Sequence, residues 1–219
     1  SRNKYDFTLA NKIISFAKKN KIKVRGHALV WHHKVSLPDW LLKEKLTKED
    51  LIEVLHEHVK RVVGYYKGEF TAWNVVNEAI SDKGRLRRSV WLNTIGPEYI
   101  EMAFRFAHEA DSKVKLFYND YSIDDLNKKS DTVYALVKAL LKKEIPIHGV
   151  GLQMHLLEEC PPNSKSVEKN ILRFQKLGLE VAITEMDVRI RKPVTREKLE
   201  NQARIYYEIM RTAIKMGVK

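Results

Sequence analysis

Short apolar runs rich in β-branched and aromatic residues alternate along the chain with longer segments of helical period. The apolar runs are nearly continuous, which is typical of strands buried on both faces of a parallel sheet. The pattern therefore predicts an α/β fold. Five strands are predicted, at residues 21–31, 70–77, 114–119, 147–153 and 180–185. Helices are predicted near residues 6–20, 48–67, 97–111, 128–144, 164–178 and 195–217.

Helix-start signals support these boundaries. They are Thr47 with Asp50 three residues on, Pro97, Ser164 and Thr195. Trp40, after a proline, is expected to anchor a short helix. No glycine-rich phosphate motif opens any helix, which removes the usual support for a nucleotide-binding sheet. No linker or low-complexity tract interrupts the chain, so residues 1–219 are interpreted as a single domain.

The charge balance raises the possibility of an anionic partner, because 40 Lys and Arg residues face 28 acidic ones, a net charge of +12. The basic residues alternate with acidic ones on the polar faces of the predicted helices. Examples are Lys18, Lys19, Lys128, Lys129, Lys142 and Lys143. We interpret them as a solvated surface and expect no nucleic-acid partner. No apolar run approaches the roughly 20 residues that cross a bilayer, so no membrane span is expected.

Two further features of the composition are less informative. The single cysteine, Cys160, has no partner for an internal disulfide or for a cysteine metal site, so the redox compartment cannot be deduced. The opening residues, SRNKYDF, lack the charged and apolar regions of a signal peptide. We therefore expect no signal peptide in this chain.

Polar residues gather at the carboxyl end of every predicted strand, where parallel α/β folds present their sites. In strand order they are His27, Trp31, His32 and His33; Asn77 and Glu78; Asn119, Asp120 and Tyr121; Gln153 and His155; Glu185 and Asp187. Glu78 and Glu185 each follow a strand directly. Two carboxyl groups in one pocket, one protonated and one ionised, suit hydrolysis of a glycosidic bond. Taken alone, either glutamate could instead cap a helix or pair with a lysine.

The rings near these glutamates have alternative interpretations. His27 and His155 could bond sugar hydroxyls or orient a glutamate, or could be hydrogen-bonded core residues. Trp31 offers a flat face for a sugar ring, and Tyr121 either stacks on a more distant sugar or is structural.

Other histidines and Trp73 are not expected to contribute to the site. Trp73 is expected in the core, and His56 and His58, two apart on a helix, at the surface. Adjacent residues on a strand point to opposite faces, which argues against a zinc site at His32 and His33. No metal and no cofactor are expected.

Five segments in this order resemble the signature segments of family 10 glycoside hydrolases. They are GHALVWHHKVSLPDWL, WNVVNEAI, LFYNDYSI, GVGLQMHL and VAITEMDV. The resemblance covers almost the whole chain and implies the (β/α)8 TIM barrel of endo-1,4-β-xylanases, here truncated to strands 3–7 and their helices. It implies a retaining mechanism with Glu78 as general acid/base and Glu185 as nucleophile.

The resemblance also implies the supporting residues. Asn77 would bond the sugar 2-hydroxyl, and Gln153 would lie between the two carboxyl groups. His155 would hold Glu185 ionised, with Asp187 behind it. His27 and Trp31 would line the glycone side, Asn119 and Tyr121 the aglycone side, and His32 would be structural.

The resemblance therefore implies a retaining endo-1,4-β-xylanase that binds xylan and xylo-oligosaccharides and whose parent protein is secreted. Three alternatives stay open: an inactive barrel fragment with at most weak carbohydrate binding, a β-1,4-glucanase, and a basic nucleic-acid binder. An open five-stranded piece of a barrel leaves two strand edges, so self-association is also possible.

Overall fold

The computed structural model describes residues 4–218 of the chain. The expectation of no signal peptide concerns the opening residues of the chain, and the first three of these lie outside the described range. The strands are β1 (Arg25–Trp31), β2 (Ala72–Asn77), β3 (Lys115–Asp120), β4 (Gly149–Leu152), β5 (His155–Leu157), β6 (Glu180–Ile183) and β7 (Asp187–Arg189). The α-helices are α1 (Thr8–Lys19), α2 (Asp39–Lys43), α3 (Lys48–Tyr65), α4 (Val90–Thr94), α5 (Tyr99–Ala110), α6 (Lys128–Lys142), α7 (Ser164–Gln175) and α8 (Arg196–Lys215). A 3₁₀ turn spans Lys34–Ser36.

The chain forms two compact units. The first contains the described residues up to Ala79, Leu86–Phe117 and Glu144–Pro146; the second contains Ile80–Arg85, Tyr118–Lys143 and the residues from Ile147 onward. Strand order is β1-β2-β3 in the first unit and β3-β4-β6 in the second, because β3 contributes its first half to one and its second half to the other. The prediction of a single domain stays a prediction.

Parallel pairing sets the register within each unit. In the first, β1 runs parallel to β2 with Trp31 opposite Asn77 at their carboxyl ends. In the second, β4 runs parallel to β6, and β5 and β7 form a separate parallel pair. The strands alternate with helices in chain order, which confirms the predicted α/β class.

The core of the first unit forms where β2 and α3 turn their apolar residues inward. All six residues of β2 are buried, as expected for a strand covered on both faces. On α3, Leu51, Leu55, Val59 and Val63 recur every fourth residue and are fully buried, and α3 packs against α5. In the second unit, α7 packs against both β6 and α8.

Most helix starts match the sequence signals. Thr47 and Asp50 form a reciprocal capping box, and the Thr195 side chain accepts the Lys198 N–H. Asn163, rather than the predicted Ser164, caps α7, since its side chain accepts two backbone N–H groups. The predicted short helix at Trp40 is α2.

Several expectations need correction. Strands β5 and β7 and helix α4 were not predicted, because three residues are too few to show the alternation of a strand and α4 completes little more than one helical turn. Lys129 is buried on α6 rather than solvated. The predicted surface position is wrong for His58, whose ring is largely buried with Nε2 3.0 Å from the Leu29 carbonyl; burial lowers the pKa of this imidazole.

Within residues 4–218, none of the helices combines the length and the apolar character that crossing a membrane requires. Cys160 is exposed.

Candidate active site

The first glutamate, Glu78, follows the last residue of β2 and turns the chain sharply. Its backbone adopts the left-handed conformation, with φ of 56°, which a glutamate rarely takes. Its carbonyl oxygen accepts a hydrogen bond from Arg87 Nε at 3.1 Å, which helps to hold the turn. Strand burial thus ends at Asn77, and the next side chain is directed by a constrained turn rather than by the strand.

Two neighbours contact the Glu78 carboxyl group. Asn77 donates from Nδ2 to Oε1 at 3.3 Å, and His32 Nδ1 lies 3.9 Å from Oε2. The Glu78 side chain is only 13% exposed. His32, for which the family resemblance implies a structural role, lies beside the carboxyl group of Glu78.

Strand β1 carries His27 as its third residue and Trp31 as its last, so the predicted place of His27 at the carboxyl end of the strand is wrong. His27 Nδ1 lies 3.0 Å from Asn74 Nδ2 on the facing strand, with which His27 is in register. The carbonyl of Trp31 accepts a hydrogen bond from Trp91 Nε1 at 3.0 Å, so helix α4 holds the end of β1. No pattern of residues around Trp91 signals this role.

Trp31 is half-buried and has an aromatic neighbour on its ring. His33 stacks near the Trp31 ring at 5.2 Å and 29°. Among the described residues, none accepts a hydrogen bond from the buried indole Nε1 of Trp31. A cavity of about 460 Å³ in the first unit is lined by His27, Trp31, Trp40, Leu41, His58 and Trp91, among others. Aromatic walls with a few polar groups are typical of sites that bind small ligands.

The second glutamate, Glu185, follows β6 and is held by two side chains. Asn119 donates from Nδ2 to Oε1 at 2.8 Å, and His155 Nε2 lies 3.4 Å from Oε2. The Glu185 side chain is 31% exposed, so substrate can reach it.

His155 is itself paired on its other ring nitrogen. Its Nδ1 lies 2.5 Å from Asp187 Oδ2. A carboxylate only accepts, so this pairing places a proton on Nδ1, and donation to Glu185 as well requires a protonated imidazole. The β5–β7 pairing explains the geometry, since His155 is in register with Asp187. The contacts expected from the resemblance, Glu185 to His155 to Asp187, are all present.

Asn119 differs from the expected lining residue. It is fully buried, its Oδ1 accepts from Thr184 Oγ1 at 2.8 Å, and its Nδ2 holds Glu185. The expectation that Asn119 lines the aglycone side is therefore wrong; it positions a carboxylate. Gly151 makes room for it, because a Cβ there would overlap Asn119 Oδ1.

Tyr121 and Gln153 lie close to Asp120. Lys129 Nζ sits 3.3 Å from the centroid of the Tyr121 ring and 2.9 Å from Asp120 Oδ1, so one face of the ring is occupied. Gln153 is buried, and its backbone N–H donates to the Asp120 carbonyl at 3.1 Å. The buried lysine thus packs against one face of the Tyr121 ring.

Asp124 was not predicted to matter. It is 5% exposed, and burial raises the pKa of its carboxyl group to about 7. The Met154 N–H and the charges of His155 and Lys129 oppose this rise, whereas Asp125 adds to it. Its only sequence signal was its place four residues after Asp120.

Among residues 4–218, no group of three or more His, Cys, Asp and Glu side chains is arranged to hold a metal ion. The side chains described at the two glutamates are carboxyl groups, imidazoles and amides.

Comparison with known proteins defines the class. The family model of glycosyl hydrolase family 10 matches residues 1–217, and the chain belongs to this family. The family has the (β/α)8 barrel fold, of which this chain carries five central parallel strands and their helices.

Individual relatives agree. The chain is 49% identical to endo-1,4-beta-xylanase B of Thermotoga neapolitana over 85% of its own length and 53% of that protein. It is 45% identical to a beta-1,4-xylanase of Dictyoglomus thermophilum, covering 94% of the chain and 61% of that protein. Xylanase 10B of Thermotoga petrophila RKU-1, solved in complex with xylobiose, superposes with a TM-score of 0.96 at 47% identity, over 100% of this chain and 67% of that one. The chain thus spans about half to three fifths of the length of these curated relatives.

Proposed function

We propose that this chain carries the catalytic glutamates of a retaining endo-1,4-β-xylanase that hydrolyses internal β-1,4-xylosidic bonds of xylan. The observation that carries the proposal is the carboxylate of Glu185, held by Asn119 and by a His155–Asp187 pair. Family membership and the xylanase names of the relatives support the substrate class.

The proposed reaction has two displacements. In the first, a Glu185 oxygen attacks the anomeric carbon, the glycosidic C–O bond breaks, and the Glu78 carboxyl group gives its proton to the leaving oxygen. In the second, water attacks the same carbon, Glu78 takes the water proton, and the bond to Glu185 breaks. Two inversions at one carbon return the β configuration.

The environments of the two glutamates suit these roles. A nucleophile must stay ionised, and Glu185 accepts from an amide and faces an imidazole whose other nitrogen is bound to Asp187. A general acid must give and regain a proton. The Glu78 carboxyl group has a neutral amide donor at 3.3 Å and a ring nitrogen at 3.9 Å, beyond hydrogen-bond distance.

Substrate residues are proposed from the same geometry. Trp31 offers an apolar ring and an unpaired buried N–H, and His27 lies on the same strand. By the family resemblance, Asn77 would bond the sugar 2-hydroxyl and Gln153 would help to set the pKa values of the catalytic carboxyl groups, while Tyr121 would stack with the face that Lys129 leaves open. A secreted location of the parent protein is part of the same proposal.

Azide rescue tests the two glutamate roles. In Glu185→Ala, azide attacks from the face that the nucleophile has vacated, so an aryl β-xylobioside yields an α-xylobiosyl azide. In Glu78→Ala, the glycosyl-enzyme forms and azide then yields the β product. Wild type should release β-xylo-oligosaccharides, followed by ¹H NMR. First-formed α products from wild type, or the same azide anomer from both variants, would overturn the mechanism.

A substrate panel tests the alternatives. Release of reducing sugar from xylan but not from β-1,4-glucan supports the xylanase, and the reverse indicates a glucanase. If the chain hydrolyses neither glycan and binds them weakly, it is an inactive barrel fragment. Analytical ultracentrifugation would then show whether this fragment associates with itself. Salt-sensitive DNA binding in place of glycan binding would indicate a nucleic-acid protein.

A further inference from the structure

A buried carboxyl group lies behind the residues that hold Glu185. Asp124 is in the segment between β3 and α6, and its Oδ1 accepts the backbone N–H of Met154 at 3.2 Å. None of the roles described for the two glutamates uses Asp124. A buried polar group in such a place needs a function or a structural reason.

Met154 joins β4 to β5 and adopts the left-handed backbone conformation, with φ of 59°. A non-glycine residue rarely takes this conformation, so surrounding contacts must hold it. Two contacts do so. Asp124 takes the Met154 N–H, and the Met154 carbonyl accepts the N–H of Asp187 at 3.2 Å.

This turn decides where His155 points, since His155 is the next residue. The turn at Met154 begins β5, whose first residue pairs with the first residue of β7. The ring of His155 lies between Asp187 at 2.5 Å and Glu185 at 3.4 Å, so a small change in the turn would alter both distances.

We propose that Asp124 is a positioning residue that fixes the Met154 turn and thereby aims the His155 ring at Glu185. The effect on catalysis rests on the proposed function, whereas the effect on the His155 ring does not. Asp124 acts through a hydrogen bond and touches neither substrate nor the reacting carboxyl groups.

The hydrogen bond from the Met154 N–H does not depend on the charge state of Asp124. Facing it are Asp125 on its own segment, Lys129 on α6 and His155 on β5. Burial raises the pKa of Asp124 to about 7, so both protonation forms are populated near neutral pH. Its Oδ1 can accept the Met154 N–H in either form, and an asparagine oxygen can do the same.

Three variants of the full chain test the proposal. Asp124→Ala removes the acceptor, Asp124→Asn keeps it without the titrating proton, and Asp125→Asn is the matched control on the neighbouring carboxylate. For Asp124→Ala we expect kcat on xylo-oligosaccharides to fall about 10- to 100-fold with KM within about threefold. This is the size of effect expected when a hydrogen bond that positions a residue beside the reacting carboxyl group is lost. Asp124→Asn and Asp125→Asn should stay within about threefold of wild type.

A measurement independent of activity accompanies the kinetics. Long-range ¹H–¹⁵N spectra report the ring nitrogens of His155, assigned by the signals that His155→Gln lacks. These signals should move in Asp124→Ala and stay in place in Asp124→Asn and Asp125→Asn. In wild type, the Met154 amide proton shift should follow a carboxyl titration that Asp124→Asn abolishes, which tests the contact even where Asp124→Ala does not fold.

The outcomes separate the two proposals. Movement of the His155 signals in a chain without glycan hydrolysis would leave the positioning role standing and overturn the proposed function. An active chain in which Asp124→Ala matches Asp125→Asn in kcat and in the His155 signals would overturn the positioning role. A Met154 amide shift without a carboxyl titration in wild type would also overturn it.

Discussion

The two glutamates at the strand ends have different surroundings. Glu185 accepts a 2.8 Å hydrogen bond from a fully buried amide and faces an imidazole that is paired with a further carboxylate. Glu78 has an adjacent amide at 3.3 Å and a ring nitrogen at 3.9 Å. Yet the Glu185 side chain is the more exposed of the two, 31% against 13%.

The two carboxyl groups therefore differ in their hydrogen-bonding neighbours as well as in their burial. An amide donates to Glu185 and an imidazole lies beside it, although its side chain is 31% exposed. The Glu78 side chain is the less exposed of the two, and the role proposed for it is to exchange a proton in each half of the reaction. The predictions below test this division, from the largest effect to the smallest.

The largest effects on hydrolysis are expected when each glutamate is replaced by glutamine. Glu185→Gln removes the nucleophile, so hydrolysis of xylan and of 2,4-dinitrophenyl β-xylobioside should both fall more than about 10⁴-fold. Glu78→Gln should lose about 10²- to 10⁴-fold on xylan. With the dinitrophenyl substrate, whose leaving group needs no proton, its pre-steady-state burst of dinitrophenol should stay near the wild-type rate. Equal losses on both substrates in both variants would contradict the division.

The buried acid behind Glu185 should make stability depend on pH. Asp124 titrates near 3.8 in the unfolded chain and about 7 in the fold. Its neutral form is therefore favoured by folding, and wild type loses this stabilisation as pH rises from 3.8 through 7. Asp124→Asn should match wild type at pH 3.5 and exceed it at pH 8 by up to about 4 kcal/mol.

Urea unfolding of both proteins at pH 3.5, 5.5, 7 and 8 measures this difference. Asp125→Asn, at the neighbouring half-buried carboxylate, serves as the control. A gap between wild type and Asp124→Asn that does not grow with pH would refute the assignment of a raised pKa to Asp124.

The amide that holds Glu185 should have a measurable effect on rate. Asn119→Ala removes a hydrogen bond to a charged group, worth about 1.5–3 kcal/mol, so kcat should fall about 10- to 100-fold. Thr184→Val keeps Asn119 but removes the hydroxyl that bonds its Oδ1, so the loss should be under about tenfold. Steady-state kinetics on xylohexaose gives both values; a larger loss in Thr184→Val than in Asn119→Ala would argue against the proposed order of contacts.

Two glycine substitutions give the smallest expected effects. Gly151→Ala places a Cβ against Asn119 Oδ1 and should lower the free energy of unfolding by about 1–3 kcal/mol, with a loss of kcat. Gly64→Ala, on α3 with no atom within 4 Å of the new Cβ, should raise it by about 0.5–1 kcal/mol with kcat unchanged. Thermal unfolding followed by circular dichroism provides the comparison, and equal effects of the two changes would contradict it.

The sequence predicts the alternation of strands and helices well, because periodicity and capping are local. The five predicted strands and the six predicted helices all occur near their predicted positions. The positions of the two glutamates after β2 and β6 were also predicted, from WNVVNEAI and VAITEMDV, whereas their catalytic roles stay a proposal.

Features that depend on contacts between distant residues could not be predicted. Lys129 looks like one more surface lysine until Asp120 and the Tyr121 ring are seen to enclose its ammonium group. The β5–β7 pair joins His155 to Asp187 through strands of three residues, too short for a pattern. The burial of Asp124 has the same origin, because only the folded chain brings the Met154 N–H to it.

The left-handed turn at Glu78 has a practical consequence. Holding a glutamate at φ of 56° costs about 1–2 kcal/mol, whereas glycine adopts this conformation freely. Glu78→Gly should therefore remove the proton donor and ease the backbone at the same time. Under the proposed function, this chain would keep the residues that bind xylan while losing the proton that cleavage of its bonds needs.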